Sequence, residues 1–229
     1  MATITAIPTS NDRRRAPAPP PWALSLPATL DHSAARDPFV RDSEREHATV
    51  LIVDINGSTA LSRSIDAQEW WTITARLFEL MSDAVHASGG RVRAFTGDGI
   101  LAVFGPQGVA DDHAQRACEA ALALRDAIRG PAAELRRDHD LELSIRIGIN
   151  SGELITGIIG TGYRRCCSVS GYAVALAKRM ETLAEPDRIC LSESTAGLLG
   201  VGLEVRSLGS HEVKGAPKPV GVFELMPAA

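Results

Sequence analysis

No apolar run in this 229-residue chain reaches the roughly 18 residues that a membrane-spanning helix requires. The run at residues 51–55 is too short, and the one around Leu124 is interrupted by Arg125 and Asp126, so no integral membrane segment is expected. Cysteine is scarce: Cys118, Cys166, Cys167 and Cys190 show neither CxxC spacing nor the density of a secreted disulfide scaffold. That usage fits the reducing cytoplasm. The adjacent Cys166 and Cys167 read as strand thiols that pack as small hydrophobes, with redox sensitivity as the alternative. Six scattered histidines form no HxxxH or HxH pair, which leaves a zinc site without support. Excess charge of one sign is also missing, with 24 Lys+Arg against 28 Asp+Glu and no basic stripe. A general nucleic-acid binder is thereby excluded, whereas a local site for a small phosphorylated ligand needs only a few cations.

What is present divides into two regions. Residues 1–47 hold seven of the 13 prolines and carry six Arg against six Asp/Glu with little hydrophobic periodicity, the composition of a flexible tail. Trp22, Leu24 and Leu26 could make it a weak membrane-surface or partner-binding segment. From residue 48 the pattern alternates between strand and helix. Residues 48–55 form a β-branched apolar run, ended by Asn56-Gly57-Ser58, where Ser58 or Thr59 can cap a helix. Apolar residues then recur at helical spacing to Gly89-Gly90. Residues 91–95 and 100–104 read as two strands of a hairpin that presents Asp98 at its tip. A second long helix opens at Asp111-Asp112. Strands are expected at 143–149 and 154–159, a helix over 171–183, and short closing strands at 188–191, 203–205 and 220–225.

Asp54 ends the first strand and Asp98 occupies the hairpin. If those strands are neighbours, two carboxylates meet at one edge of the sheet. Such a pair suits a hard divalent cation, since Mg²⁺ takes a few carboxylate oxygens and completes its shell with substrate phosphates. Strand-end aspartates that merely make turns are the structural alternative.

Five segments in register carry a resemblance: LIVDINGSTALS at 51–62, AFTGDGILAVFG at 94–105, IRIGINSGELITGIIG at 145–160, VSGYAVALAKRMETLA at 169–184 and LGSHEVKGAPKPVGVFEL at 208–225. Together they resemble the catalytic domain of class III adenylate and guanylate cyclases over residues 48–226. The resemblance implies an α/β (α+β) domain with a ferredoxin-like βαββαβ core and a mixed, largely antiparallel sheet. It also implies a head-to-tail homodimer with shared sites, or a heterodimer with another cyclase chain. Two ions, Mg²⁺ or Mn²⁺, would sit on Asp54, Asp98 and the carbonyl of Ile55. Gly57, Ser58 and Thr59 would bring backbone N–H groups to the triphosphate, and Gly97 would also contact the nucleotide. From the other subunit, Arg179 matches the arginine that stabilises charge on the transferring phosphate, and Lys214 the lysine on the phosphate tail.

Four substrate-tuning positions depart from the family pattern. Ala94 stands where a lysine reads the purine, Ser168 where its partner lies, Ala175 where an asparagine orients the ribose, and Tyr172 where an aspartate follows the glycine. Ala94 removes a charged donor, and Ser168 offers only a rotatable hydroxyl. The expected activity is an adenylate cyclase converting ATP to 3′,5′-cyclic AMP and pyrophosphate. A guanylate or less selective cyclase, or a catalytically silent module that dimerises or senses nucleotide, are the alternatives.

Overall fold

Residues 48–53 of the first strand are all buried, with no alternation between core and solvent. A strand reads this way when both faces of its sheet are covered. Leu51, Val53 and Ile55 join the core beneath two long helices, and Ala48, Val50 and Ile52 meet Ala173 and Ala177 of a third helix on the opposite face. The computed structural model describes residues 40–105, 112–161 and 164–227. Most of the expected tail, with Trp22, Leu24 and Leu26, lies outside the described residues.

In chain order the elements are β1 (Val40–Ile55), α1 (Ser58–Ser64), α2 (Ala67–Ala87), β2 (Arg91–Phe95), β3 (Gly99–Phe104), α3 (His113–His139), β4 (Ile145–Thr161), β5 (Arg164–Ser170), α4 (Tyr172–Leu183), β6 (Ile189–Ser192), α5 (Glu193–Ala196), β7 (Val205–His211) and β8 (Val220–Leu225). Among the described residues the sheet runs β2-β3-β1-β4-β6-β8-β7, with β5 also paired to β4. Its pairings are antiparallel except for β4 with β6. The order β2-β3-β1-β4, with helices between β1 and β2 and between β3 and β4, is the expected ferredoxin-like core. No helix of the described residues is long and apolar enough to cross a membrane.

Several boundaries differ from the sequence expectation, and for the first two the physical reason is visible. First, β1 begins at Val40 rather than at residue 48: its polar beginning, exposed over residues 43–45, is held by ladder pairing with the far half of β4 and not by burial. Second, β4 is one strand where two were expected. Asn150 and Ser151 lie in the gap left between the two expected strands, and the structure uses them inside the sheet: Asn150 Nδ2 donates to the Ala173 carbonyl at 3.0 Å, Ser192 Oγ donates to Asn150 Oδ1 at 2.6 Å, and Ser151 Oγ lies 2.7 Å from Thr49 Oγ1. Buried polar groups satisfied in this way are tolerated in a core. Third, the closing strand expected at 203–205 starts at Val205 and continues to His211.

Candidate functional site

Antiparallel pairing of β1 with β3 sets Asp54 opposite Gly99, one residue from Asp98. The Ile55 N–H donates to the Asp98 carbonyl at 3.2 Å and so fixes the end of β1 to the hairpin. Between the strands, Gly97 adopts φ +87°, a left-handed conformation that L side chains avoid, and Thr96 N–H donates to the Gly99 carbonyl at 2.8 Å. The hairpin therefore returns with Asp98 aimed toward the end of β1. The carboxyl groups of Asp54 and Asp98 come within hydrogen-bonding reach of each other.

Ser58 follows the turn and opens α1. The expectation that Ser58 or Thr59 caps this helix is not met: the N-cap is Gly57, without a side-chain cap. The Ser58 hydroxyl instead donates to Asp98 Oδ2. Three oxygen-bearing side chains thus converge at one end of the sheet, beside the backbone of Ile55, Gly57 and Thr59.

A second layer of charge lies under this cluster. Glu181 on α4 is 1% exposed, and its carboxylate contacts Arg146 Nε at 3.2 Å and Lys178 Nζ at 2.8 Å. The Arg146 contact is an ion pair without hydrogen-bond alignment, whereas Lys178 is hydrogen-bonded to Glu181. The same ammonium reaches Asp54 Oδ2 at 3.4 Å. Burial pushes the Asp54 pKa up; the Lys178 charge opposes this, but the Asp98 hydrogen bond and the charges of Asp98 and Glu181 leave the net shift upward. For Lys178, burial acts to lower the pKa. The Glu181 hydrogen bond, with the Glu181 and Asp54 charges, outweighs it, so the lysine stays firmly protonated. Sequence reasoning missed Lys178. Its signal was the three-residue spacing from Glu181 on a predicted helix, which puts both on one face.

The other expected residues lie elsewhere in the chain. Ala94 is exposed near the end of β2, where the pairing with β3 shifts register between Val92 and Ala94 and leaves Arg93 as the bulged residue. Ser168 lies on β5 opposite Gly157. Ala175 and Arg179 are one turn apart on α4, and Arg179 makes no hydrogen bond or ion pair with the described residues. Lys214 is exposed in the β7–β8 connection. Within one chain, then, no hydrogen bond or ion pair among the described residues joins Arg179 or Lys214 to the carboxylate pair.

The donors that Asp54, Asp98 and the Ile55 carbonyl offer are oxygens, the ligand type a hard divalent cation takes; among the described residues no group of three or more His, Cys, Asp or Glu is placed to hold a metal ion.

The family model for the adenylate and guanylate cyclase catalytic domain matches residues 40–226. Among solved structures, the adenylyl cyclase CyaB from P. aeruginosa is 28% identical, with a TM-score of 0.78 and coverage of 82% of this chain and 98% of that one. The guanylyl cyclase Cya2 is also 28% identical, with a TM-score of 0.75 and coverage of 82% and 96%. Adenylate cyclase 1 of Rhizobium meliloti is 24% identical over 81% of this chain. This chain spans only 28% of that relative's length, and 18% of an uncharacterised protein of the same organism that is 29% identical.

Proposed function

The chain belongs to the adenylate and guanylate cyclase catalytic domain family, and on that premise we propose that it converts ATP to 3′,5′-cyclic AMP and pyrophosphate at a site shared between two copies. The observation that carries this reading is the meeting of Asp54 and Asp98 beside the first turn of α1. Asp54, Asp98 and the carbonyl of Ile55 would hold Mg²⁺ or Mn²⁺. Two bound ions supply activation of the attacking oxygen and stabilisation of the leaving one. The backbone N–H groups of Ser58 and Thr59, which the first helical turn leaves without intrahelical partners, are available to phosphate oxygens, beside Gly57 and Gly97. A second copy would bring Arg179 to the transferring phosphate and Lys214 to the phosphate tail. The ribose 3′-hydroxyl then attacks the α-phosphorus in line and pyrophosphate leaves, with the protein contributing position and charge stabilisation.

The exposed Ala94 favours a second reading, in which the base is selected loosely and GTP is also turned over. An alanine makes no hydrogen bond to a purine edge, and Ser168 can donate or accept with equal ease. A homodimer is the simpler assembly, because residues from both halves of the site lie on one chain and a twofold interface makes two equivalent sites. A heterodimer with a chain carrying the missing lysine and asparagine would leave the protein nearly inactive alone.

The test is cyclic-nucleotide production by the purified chain with ATP, GTP, CTP or UTP, in Mg²⁺ and in Mn²⁺, beside Asp98→Ala. Cyclic AMP as the main product, lost in Asp98→Ala, is expected. Comparable cyclic GMP establishes the looser reading, and no product from any nucleotide overturns both in favour of a silent module or a heterodimer.

A further inference from the structure

Lys178 sits where a metal-binding carboxylate would least tolerate it. Its ammonium is 3.4 Å from Asp54 Oδ2 and 2.8 Å from Glu181 Oε2, and Glu181 is itself buried and backed by Arg146. Helix α4 cannot easily relax away from this contact. Gly148 of β4 packs so tightly under it that an added Cβ would lie 2.3 Å from the Ala177 carbonyl and 2.1 Å from the Glu181 nitrogen. The lysine is therefore anchored at its base while its half-exposed head faces the carboxylate pair.

Charge counting gives the consequence. Asp54, Asp98 and Glu181 contribute three negative charges, and Arg146 and Lys178 two positive ones. The cluster thus offers a divalent cation one uncompensated negative charge, where a neutral residue at 178 would offer two. Opposite and like charges a few ångströms apart in a partly buried site interact strongly, and solvent weakens but does not cancel this.

We propose, resting on the cyclase reading above, that Lys178 is a positioning residue that occupies the metal face of Asp54 in the nucleotide-free protein and makes divalent-cation binding depend on the incoming triphosphate. The triphosphate supplies negative charge that the cluster lacks. The Lys178 head, retained by Glu181, then gives up Asp54.

The test is Mn²⁺ titration followed by electron paramagnetic resonance, with the full chain, in the absence and presence of a non-reactive ATP analogue. Lys178→Met is expected to bind Mn²⁺ about tenfold more tightly than wild type without nucleotide, and the difference is expected to shrink when the analogue is present. Lys178→Arg keeps the charge and is expected to stay near wild type, and circular dichroism checks that each variant folds. Equal or weaker Mn²⁺ binding by a folded Lys178→Met overturns the inference and leaves the cyclase reading standing. Wild-type Mn²⁺ binding that Asp98→Ala does not diminish, with or without nucleotide, overturns the cyclase reading and this inference with it.

Discussion

Ser58 donates its hydroxyl hydrogen to the Asp98 carboxylate, joining the first turn of α1 to the β2–β3 hairpin across 40 positions of sequence. The bond uses the residue that would otherwise cap the helix. It fixes one carboxylate oxygen, Oδ2, and so orients the group beside Asp54. A hydrogen bond to a charged group is worth about 1.5–3 kcal/mol. Ser58→Ala is therefore expected to lower kcat by roughly 10- to 100-fold if the orientation of Asp98 matters in the transition state. The same bond ties α1 to the hairpin in the folded protein, so Tm is expected to fall by a few degrees as well. Steady-state kinetics and calorimetry on the same preparation check both halves of the expectation.

Gly148 is required by the approach of α4 to β4. A methyl group there would sit within 2.3 Å of two backbone atoms of α4, and the helix would have to lift from the sheet. Overpacking of a core costs on the order of 3 kcal/mol. Gly148→Ala is expected to lower Tm by about 10 °C, as measured by thermal denaturation. Glu181 would also move from Arg146 and Lys178, so Mn²⁺ binding should change in any fraction that remains folded.

The buried half of β1 was legible as a continuous β-branched apolar run, the hairpin bearing Asp98 from the turn residues between its two strands, and the α4 stripe from its helical period. Leu51, Val53 and Ile55 face one core and Val50 and Ile52 the other. The early part of β1 was illegible because residues 43–45 are stabilised by backbone pairing, which leaves no mark on composition. The continuity of β4 was illegible for the opposite reason: Asn150 and Ser151, polar residues in its middle, are satisfied by partners from distant segments. The break between α1 and α2 carries a sequence mark. Asp66 accepts hydrogen bonds from the Gln68 and Glu69 nitrogens, at 2.9 and 3.3 Å, and an aspartate three residues before a glutamate is a helix-start signal. At the site, resemblance pointed to the two aspartates, whereas the ion pair between Lys178 and Asp54 joins residues 124 positions apart.

The cysteines differ in environment, and their reactivity should follow. Burial pushes the Cys118 thiol up to about 12, with the charge of Glu119 adding to it. Burial likewise raises Cys190 to about 11, helped by Glu224 and Glu185. Cys167 is exposed. Thiolate is the reactive form. Maleimide labelling at pH 8, mapped by peptide mass spectrometry, is expected to modify Cys167 in the folded protein, and Cys118 and Cys190 only after denaturation. The same shifts link to stability. Folded Cys118 and Cys190 hold their protons more tightly than unfolded thiols, whose ordinary value is 9.0. Their contribution is thus fully present below pH 9 and is lost as pH rises toward about 11 for Cys190 and about 12 for Cys118. Denaturant midpoints measured across that range should fall with increasing pH, and Cys118→Ala should show a shallower fall.

A shared site makes a prediction that a self-contained one does not. Asp54 belongs to a cluster at the end of β1, whereas Arg179 makes no hydrogen bond or ion pair with the described residues of its own chain. If the arginine serves a second copy, Asp54→Ala and Arg179→Ala are each expected to be inactive alone, since every site in either homodimer lacks one of the two. Mixing the two variants changes the outcome. Heterodimers carry both lesions in one site and neither in the other, so an equimolar mixture with random exchange is expected to recover roughly a quarter of wild-type activity. Size-exclusion chromatography with light scattering confirms that the variants still dimerise, and activity after mixing gives the result. Recovery near a quarter supports a site built from two chains. Inactive mixtures of variants shown to exchange subunits would mean that Asp54 and Arg179 act on the same site from the same chain.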